Sequence, residues 1–247
     1  MNLDANAFTG SIPSEIGKAS SLSFLSIQKN QVTGTIPTQI NKLGNLRTLN
    51  VATNLITGPI PPTEKMGSLV NLYLYQNQLT GTLPATLGAM ASLQVAFLSS
   101  NRLSGSINNM LSNTSKTFQG LYLSDNVLEG TIPASICAIG SLQALFLDTN
   151  KLTGELPSCI GNLSSLRQLY VFQNQLSGEV PESFVSLVSL HGLGVENNQL
   201  VGNMPSGICQ IQPLTELWSD CGGQTPEIEC TCCTTCCPSA TCNGNLV

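Results

Sequence analysis

The chain has 247 residues, a formal net charge of −5 and only 9% charged residues. With 9 lysines and arginines in all, it lacks the basic surface that nucleic-acid binding requires, so we expect no nucleic-acid partner. It also contains no apolar run of about 18 residues, and we therefore expect no membrane-spanning segment within this chain.

An asparagine recurs every 23 to 25 residues in a constant context. Apolar residues stand five and three positions before it and two after it, and a glycine stands four after it. A proline stands seven positions after it in eight of the nine copies, with Asn108 in that place in the other copy. We call these residues the ladder asparagines: Asn6, Asn30, Asn54, Asn77, Asn101, Asn126, Asn150, Asn174 and Asn198.

Each repeat is interpreted as one coil, made of a short strand, a turn and a return segment. In the Leu72-Tyr73-Leu74 strand, alternation sends both leucines to the inside of the coil and the tyrosine to the other side. The chain then turns inward, and an asparagine amide can satisfy the backbone groups that the turn leaves unpaired. We therefore expect a buried, hydrogen-bonded asparagine ladder. Glycine permits a bend or a close approach, and proline suits the start of the return segment.

This pattern, L-x-x-L-x-L-x-x-N-x-L-x-G-x-I-P, resembles the plant-type leucine-rich-repeat family, with VTGTIP at 32–37 and LTGELP at 152–157. The resemblance covers roughly residues 3–217. It implies an α/β solenoid: a superhelix of about nine to ten coils with a parallel concave β-sheet and short helical or irregular convex segments. It also implies receptor ectodomains and cell-wall-hydrolase inhibitors as functional classes, without naming a ligand.

The repeat pattern degrades after Leu214, which predicts two parts: a solenoid over 1–205, then a degenerate last repeat and cysteine-rich cap over 206–247. Dense cysteines at an open solenoid end predict disulfides that shield the last coil, although eight cysteines leave the pairing open. The alternative is a metal cluster at the C-x-x-C of Cys233 and Cys236, which no histidine in the tail supports. The cap cysteines are Cys209, Cys221, Cys230, Cys232, Cys233, Cys236, Cys237 and Cys242.

The segments LTELWSDCGG and CTCCTTCC resemble the cysteine-rich ends of leucine-rich-repeat proteins from unicellular algae. Two glycosylation sequons begin at Asn113 and Asn162, each 12 residues after a ladder asparagine and hence on the outer side of the coil. Disulfides and sequons together predict an extracellular protein, secreted or at the cell surface. Met1 precedes a repeat already in progress, so we expect that an upstream part of the native protein is missing.

The residue four before each ladder asparagine points to the concave solvent side, and it is aromatic in five consecutive coils. The position two before the asparagine adds two more rings and two acids. The rings could be a self-stacking ladder that only rigidifies the sheet, but exposed rings favour an interaction site. The predicted ligand-binding residues are Tyr73, Tyr75, Phe97, Tyr122, Phe146, Asp148, Tyr170, Phe172 and Glu196.

The sequence thus favours an extracellular recognition module, active in signalling or defence, that binds a protein, peptide or glycan on its aromatic face. The alternatives are a structural or adhesive cell-wall scaffold and an inhibitor of a cell-wall hydrolase. An ice-binding surface would need a regular threonine array, which Glu129 and Val201 interrupt.

We expect no enzyme and no catalytic residue, cofactor or metal. The single histidine, His191, has no nucleophile-elbow motif to serve. Two carboxylates could hydrolyse a glycosidic bond, but Asp148 and Glu196 are expected on a polar, exposed surface where nothing would raise a pKa.

Overall fold

The computed structural model describes residues 1–111, 117–222 and 227–237. The chain forms two compact units, Met1–Glu129 and Gly130–Val247. In each unit successive coils contribute one short strand to a parallel sheet, here called the main sheet. The strands pair in register, so residues at one repeat position form rows across the sheet, for example Leu49 beside Leu72.

The main-sheet strands of the first unit are Phe24–Ser26, Thr48–Asn50, Asn71–Tyr73, Val95–Phe97 and Gly120–Tyr122. Those of the second unit are Ala144–Phe146, Gln168–Tyr170, Gly192–Gly194, Glu216–Ser219 and Thr235–Cys236. The middle residue of each repeat strand faces the coil interior, and Leu49, Leu121, Leu145 and Leu193 are at most 3% exposed. The predicted alternation of apolar interior and solvent side is confirmed.

A second set of short strands follows the ladder asparagines, which the sequence did not predict. These flank strands are Thr57–Gly58, Gln78–Leu79, Ser104–Gly105, Val127–Thr131, Lys151–Glu155, Gln175–Gly178, Gln199–Leu200 and Gly202–Asn203. They too pair in parallel, as between Gly178 and Leu200.

Short helices form the return segments, and seven of them begin directly after the repeat proline. Proline suits this position because its fixed φ matches the start of a helix and its missing N–H is not needed there. The 3₁₀ helices are Ser14–Lys18, Thr38–Lys42, Ala134–Ala138, Ser158–Asn162, Glu182–Ser186 and Ser206–Gln210, and the α-helical turns are Ala85–Gly88 and Asn108–Leu111. Parallel strands with short helical returns confirm the predicted solenoid.

The asparagine ladder is present in both units. Asn54 is typical: its Nδ2 donates to the carbonyls of Ile27, Val51 and Ala52 at 3.0–3.1 Å. Its Oδ1 accepts from the N–H of Val32 in the preceding coil at 3.0 Å. One amide therefore satisfies four backbone groups from two coils, and this joins neighbouring coils at the end of every strand.

The repeat glycines all have positive φ, between 74° and 92°. A close approach adds to the requirement, because a Cβ on Gly58 would stand 2.8 Å from Cγ2 of Thr35 in the preceding coil. A side chain at this position would therefore meet both a strained backbone and a steric clash.

The cap is closed by disulfides, as predicted. Within it Cys209 bonds Cys232, Cys221 bonds Cys236 and Cys230 bonds Cys233. Cys237 is also disulfide-bonded, whereas Cys242 lies outside the described residues. The alternative metal cluster at Cys233 and Cys236 is wrong for this structure, since both sulfurs are oxidised.

The cap also extends both sheets. Thr235–Cys236 pairs with the main-sheet strand Glu216–Ser219, and Ile228–Glu229 pairs with the flank strand Gly202–Asn203. A further disulfide, Cys137–Cys159, joins two 3₁₀ helices of neighbouring coils and was not predicted. Across the described residues no helix has the length and apolar character needed to cross a membrane.

Removing a ladder amide should destabilise the protein according to the number of groups it leaves unpaired. Asn126 is 8% exposed; it donates to three carbonyls and accepts from the N–H of Leu103. We expect Asn126→Ala to lower the free energy of unfolding by about 3 kcal/mol, measured by urea denaturation. The control is Asn6→Ala: Asn6 is exposed and donates to only two carbonyls, so it should lose less than about 1 kcal/mol. Equal losses would contradict the ladder as the source of stability.

Candidate functional site

The first unit carries a stack of three rings on the solvent side of its main sheet. Tyr73 and Phe97 lie 5.2 Å apart between ring centroids with planes 20° apart, and Phe97 and Tyr122 lie 4.0 Å apart at 9°. Tyr75 meets Phe97 edge-on at 6.4 Å. Burial, and secondarily Tyr73, raises the pKa of the Tyr122 phenol. The four predicted residues of this unit do come together, each partly exposed.

The stack turns ring edges to the solvent. Both faces of Phe97 are covered by the neighbouring rings. The ring of Tyr122 packs over Gly120, two residues earlier, because glycine has no side chain to obstruct it. A Cβ on Gly120 would stand 2.9 Å from the tyrosine ring. Ring edges carry partial positive charge and contact carbonyl oxygens well, whereas a sugar stacks on ring faces.

The second unit holds a different cluster, in which the rings are tilted rather than stacked. Phe146 and Tyr170 meet edge-on at 4.7 Å, and Tyr170 and Phe172 meet edge-on at 6.2 Å. Trp218 leans over Tyr170 at 5.8 Å and over Phe172 at 6.4 Å.

The expectation that Tyr170 and Phe172 are exposed is wrong: they are 1% and 4% exposed. The glycines of the next strand explain this, since a Cβ on Gly194 would stand 2.9 Å from the Tyr170 ring and 3.1 Å from the Phe172 ring. The rings thus lie in the space that Gly194 leaves free. The Tyr170 hydroxyl donates to Glu216 at 2.5 Å, and burial followed by this bond raises the pKa of the phenol.

Sequence reasoning missed Trp218 as a site residue. It pairs with Gly194 in the main sheet, so it occupies the same row as the predicted rings. The signal was present in the sequence, because Leu217 keeps the strand spacing and aligns with Leu193. The row simply continues into the degenerate last repeat.

The two predicted acids are not on an exposed surface, which corrects the expectation for them. Asp148 is 6% exposed and Glu196 is 1% exposed. Burial, with further contributions from Asp220 and Asp148, raises the pKa of Glu196 from 4.5 to about 7, although backbone N–H groups partly oppose it. Oε2 of Glu196 has no hydrogen-bond partner among the residues that the structure describes.

Asp220 completes a row of side chains that stand two residues before the ladder position of their repeats: Asp148, Phe172, Glu196 and Asp220. Unlike Glu196, Asp220 has a structural role. Its two oxygens accept from the backbone N–H groups of Asn197 and Asn198, at 2.9 and 3.4 Å, where the next ladder asparagine is missing. Burial raises its pKa and these two hydrogen bonds oppose that rise.

Asn162 lies on a return segment and not on the main sheet. Asn162 is exposed at the end of a 3₁₀ helix, a placement compatible with a glycan, and its glycosylation stays a prediction. Asn113 lies outside the described residues. The ring of exposed His191 donates from Nδ1 to the carbonyl of Ser189 at 2.7 Å.

The Leucine Rich Repeat family model matches residues 68–90, 141–163 and 165–187. Among curated protein sequences, none matches the chain significantly. Solved structures do match, and several are plant receptor ectodomains.

One such structure is the ectodomain of the Arabidopsis thaliana membrane receptor kinase GASSHO1/SCHENGEN3 in complex with CASPARIAN STRIP INTEGRITY FACTOR 2. It is 35% identical, has a TM-score of 0.81, and the match covers 85% of this chain and 26% of that one. Another is the Arabidopsis receptor kinase HAESA in complex with the peptide hormone IDA and the co-receptor SERK1. It is 32% identical with a TM-score of 0.79, over 88% of this chain and 36% of that one. The chain therefore spans only about a quarter to a third of these receptors.

A plant ice-binding protein is also similar. It is 25% identical with a TM-score of 0.71, and the match covers 94% of this chain and 75% of that one. These matches, with the geometry above, establish that the chain is built of leucine-rich repeats in a solenoid like that of plant receptor ectodomains.

The buried carboxyl group of Glu196 should make stability depend on pH. Because its folded pKa of about 7 lies above the unfolded value near 4.5, the proton binds more tightly to the folded protein. This contribution to stability is complete below pH 4.5 and is lost as the pH rises through 7. Glu196→Gln, which stays neutral, should be more stable than the parent at pH 8 by roughly 2–3 kcal/mol, since each tenfold change in proton affinity is worth about 1.4 kcal/mol.

Thermal or urea denaturation at pH 5 and pH 8 measures this difference. At pH 5 the two proteins should nearly coincide. Glu179→Gln removes an exposed acid from the flank and serves as control, with little change at either pH. A Glu196→Gln variant that is less stable at pH 8 would contradict the buried, poorly compensated carboxylate.

Proposed function

We propose that this protein is an extracellular, non-enzymatic recognition module that binds a peptide in an extended conformation along its aromatic face. The observation that carries this proposal is the ring stack of Tyr73, Phe97 and Tyr122 on the solvent side of the first unit. Partly exposed aromatic groups on a rigid sheet are typical of binding surfaces, because they bury a large area at little cost in conformational entropy.

The ring geometry favours a peptide or protein segment over a glycan. A pyranose would need an open ring face, and both faces of Phe97 are covered. Ring edges instead suit the carbonyl oxygens of a peptide. The outward positions beside the stack are neutral and polar, including Asn50, Asn71 and Ser99, so they can hydrogen-bond a peptide backbone without the desolvation cost of charges.

The similar plant receptors support the proposal, since one is solved with a peptide hormone and a co-receptor. The disulfides of the cap, together with Cys137–Cys159, support an oxidising, extracellular location. A peptide selection tests binding itself, whether the module is a secreted form, a receptor ectodomain or a hydrolase inhibitor.

Peptide binding should depend on the first-unit stack. A random peptide library displayed on phage is selected on the parent protein, and the enriched peptides are then tested on Phe97→Ala. Losing a central, well-packed ring should weaken their binding by about tenfold to a hundredfold. Leu55→Ala, which trims an exposed apolar side chain away from the stack, is the matched control and should leave binding unchanged. Failure to enrich any peptide, or peptides that bind Phe97→Ala equally well, would exclude this face as the site.

A second candidate function is ice binding, which the likeness to a plant ice-binding protein favours. In the first unit the two positions that flank the repeat glycine carry threonine or serine in nine of ten places, and Pro59 is the exception. The interruptions by Glu129 and Val201 begin only where the first unit ends. These flank residues are Thr9, Ser11, Thr33, Thr35, Thr57, Pro59, Thr80, Thr82, Ser104 and Ser106.

The flank hydroxyls are held in fixed orientations. Oγ1 of Thr33 donates to the carbonyl of Gly10 at 3.2 Å, and Oγ1 of Thr57 donates to that of Gly34 at 3.1 Å. Coil spacing of about 4.8 Å makes the array regular. Such a surface of methyl and hydroxyl groups can order water.

If this flank binds ice, Thr57→Lys should abolish the shaping of single ice crystals by the protein, because a long charged side chain interrupts the array. Thr153→Lys is the matched control: Thr153 occupies the same repeat position in the second unit, beside Glu155. It should leave crystal shaping intact. A parent protein that neither shapes ice crystals nor slows their recrystallisation would remove this candidate.

A further inference from the structure

One oxygen of the buried Glu196 carboxylate lacks a hydrogen bond among the described residues, and backbone N–H groups compensate the carboxylate only in part. The side chain is 1% exposed, yet within the described part of the chain nothing hydrogen-bonds its Oε2. A buried, poorly compensated carboxylate destabilises a protein unless something neutralises it. The oxygen is directed to the space above Gly194, where a Cβ would stand 3.4 Å from it. The rings of Tyr170 and Phe172 lie in the same space.

The surroundings of this oxygen are negative. Asp148 and Asp220 both raise the pKa of Glu196, so both place negative potential at its carboxyl group. Glu216 lies on the other side of Tyr170 and accepts its hydroxyl. The four acids therefore give this part of the second unit a negative potential, and a cation is the group that it would attract.

Aromatic rings form the cover of the same region. Trp218 pairs with Gly194 in the sheet, and its ring lies 6.4 Å from that of Phe172 with planes 54° apart. The indole is partly exposed and so faces solvent on one side. Indole faces attract cations, and the attraction strengthens when the cation is desolvated.

We propose that Glu196 anchors a subsite for a guanidinium group, so that a peptide ligand places an arginine side chain between Trp218 and Phe172. This rests on the proposed function, because it assigns one residue of the ligand. The indole of Trp218 turns aside, the guanidinium donates to Oε2 of Glu196, and its plane packs against the indole face. Asp148 and Asp220 add long-range attraction.

A metal ion fits this region less well. Among the described residues the only group of three or more possible ligands that come within 4.8 Å of one another is formed by cysteines, so these carboxylates do not converge. Phe172 also stands between Asp148 and Glu196 in the row. A guanidinium presents five N–H donors in a planar fork and stacks on aromatic rings, whereas an ammonium is compact and strongly hydrated. Arginine therefore suits separated acceptors beside an indole better than lysine does.

Trp218 is the only tryptophan of the chain, so its fluorescence reports on this subsite alone. The whole protein is titrated at pH 8 with acetyl-Gly-Arg-Gly-amide, and with the same peptide carrying lysine or uncharged citrulline. We expect saturable fluorescence changes with the arginine peptide, weaker binding of the lysine peptide and none of the citrulline peptide. Glu196→Gln should weaken the arginine peptide by about tenfold or more, as expected for a lost charge-assisted hydrogen bond.

Glu179→Gln, which removes an exposed acid outside the main sheet, should leave the titration unchanged. The proposal is overturned if the arginine peptide produces no saturable change, if citrulline or lysine binds as well as arginine, or if Glu196→Gln binds with unaltered affinity. The same titration is run on Phe97→Ala, whose altered ring lies in the first unit. If the arginine peptide titrates normally but the peptide selection fails, the proposed function is wrong and the subsite stands. If the selection succeeds but the titration fails, the subsite is wrong and the proposed function stands.

Discussion

The amide side chain of the ladder asparagine is the interaction on which the rest of the structure depends. After Asn6 in the first coil, the typical ladder amide pairs with carbonyls at the end of its own strand, with one carbonyl of the preceding coil and with an N–H of that coil, as Asn174 does with Leu147, Val171, Phe172 and Leu152. Every coil is thereby fixed to its neighbour at the same backbone atoms. The register of the main sheet follows, and with it the rows of outward side chains that form the site.

This constraint explains why the site could be located from the sequence while its burial could not. The row that holds Tyr73, Phe97 and Tyr122 follows from counting back from the ladder asparagine. The depth of Tyr170 depends instead on residues at the same position in the next two coils, Gly194 and Trp218. A glycine beside a ring has no side chain to support the ring in an outward position. The indole beyond the glycine then covers the ring. Counting positions within one coil does not reveal such contacts.

Other features left no shared signal in the sequence. The residue before each ladder asparagine adopts a left-handed conformation with φ of 52–55°, although it is alanine, lysine, threonine, glutamine, serine, aspartate or asparagine. The turn imposes this backbone conformation, so many residue types can occupy the position. Likewise Cys137 and Cys159 stand at different distances from their ladder asparagines, and the contact between their two 3₁₀ helices brings them together. Features that repeat as a residue type were predictable, and these were not because no residue type repeats with them.

The two units show how one scaffold supports different surfaces. In the first unit the outward positions near the stack are neutral, so rings and amides dominate. In the second unit the equivalent rows hold Asp148, Glu196 and Asp220. The repeat strands of both units pair in parallel, and the chemistry of the two surfaces differs through the outward side chains. The fold class alone therefore does not indicate the ligand, whereas the side chains in these rows indicate its chemistry.

Asp220 and Glu196 illustrate the difference between a buried acid that the fold requires and one that it does not. The oxygens of Asp220 accept from two backbone N–H groups, those of Asn197 and Asn198, whose equivalents in the preceding coil donate to backbone carbonyls. Its charge is part of the architecture. Glu196 occupies the same row one coil earlier, but there the backbone carbonyls of Glu196 and Asn197 already accept from the equivalent N–H groups. A glutamine or a phenylalanine at this position would fill the space without a buried charge. A buried acid that destabilises the fold and that the scaffold does not need is expected where a ligand contacts it. The functional interpretation therefore rests mainly on Glu196.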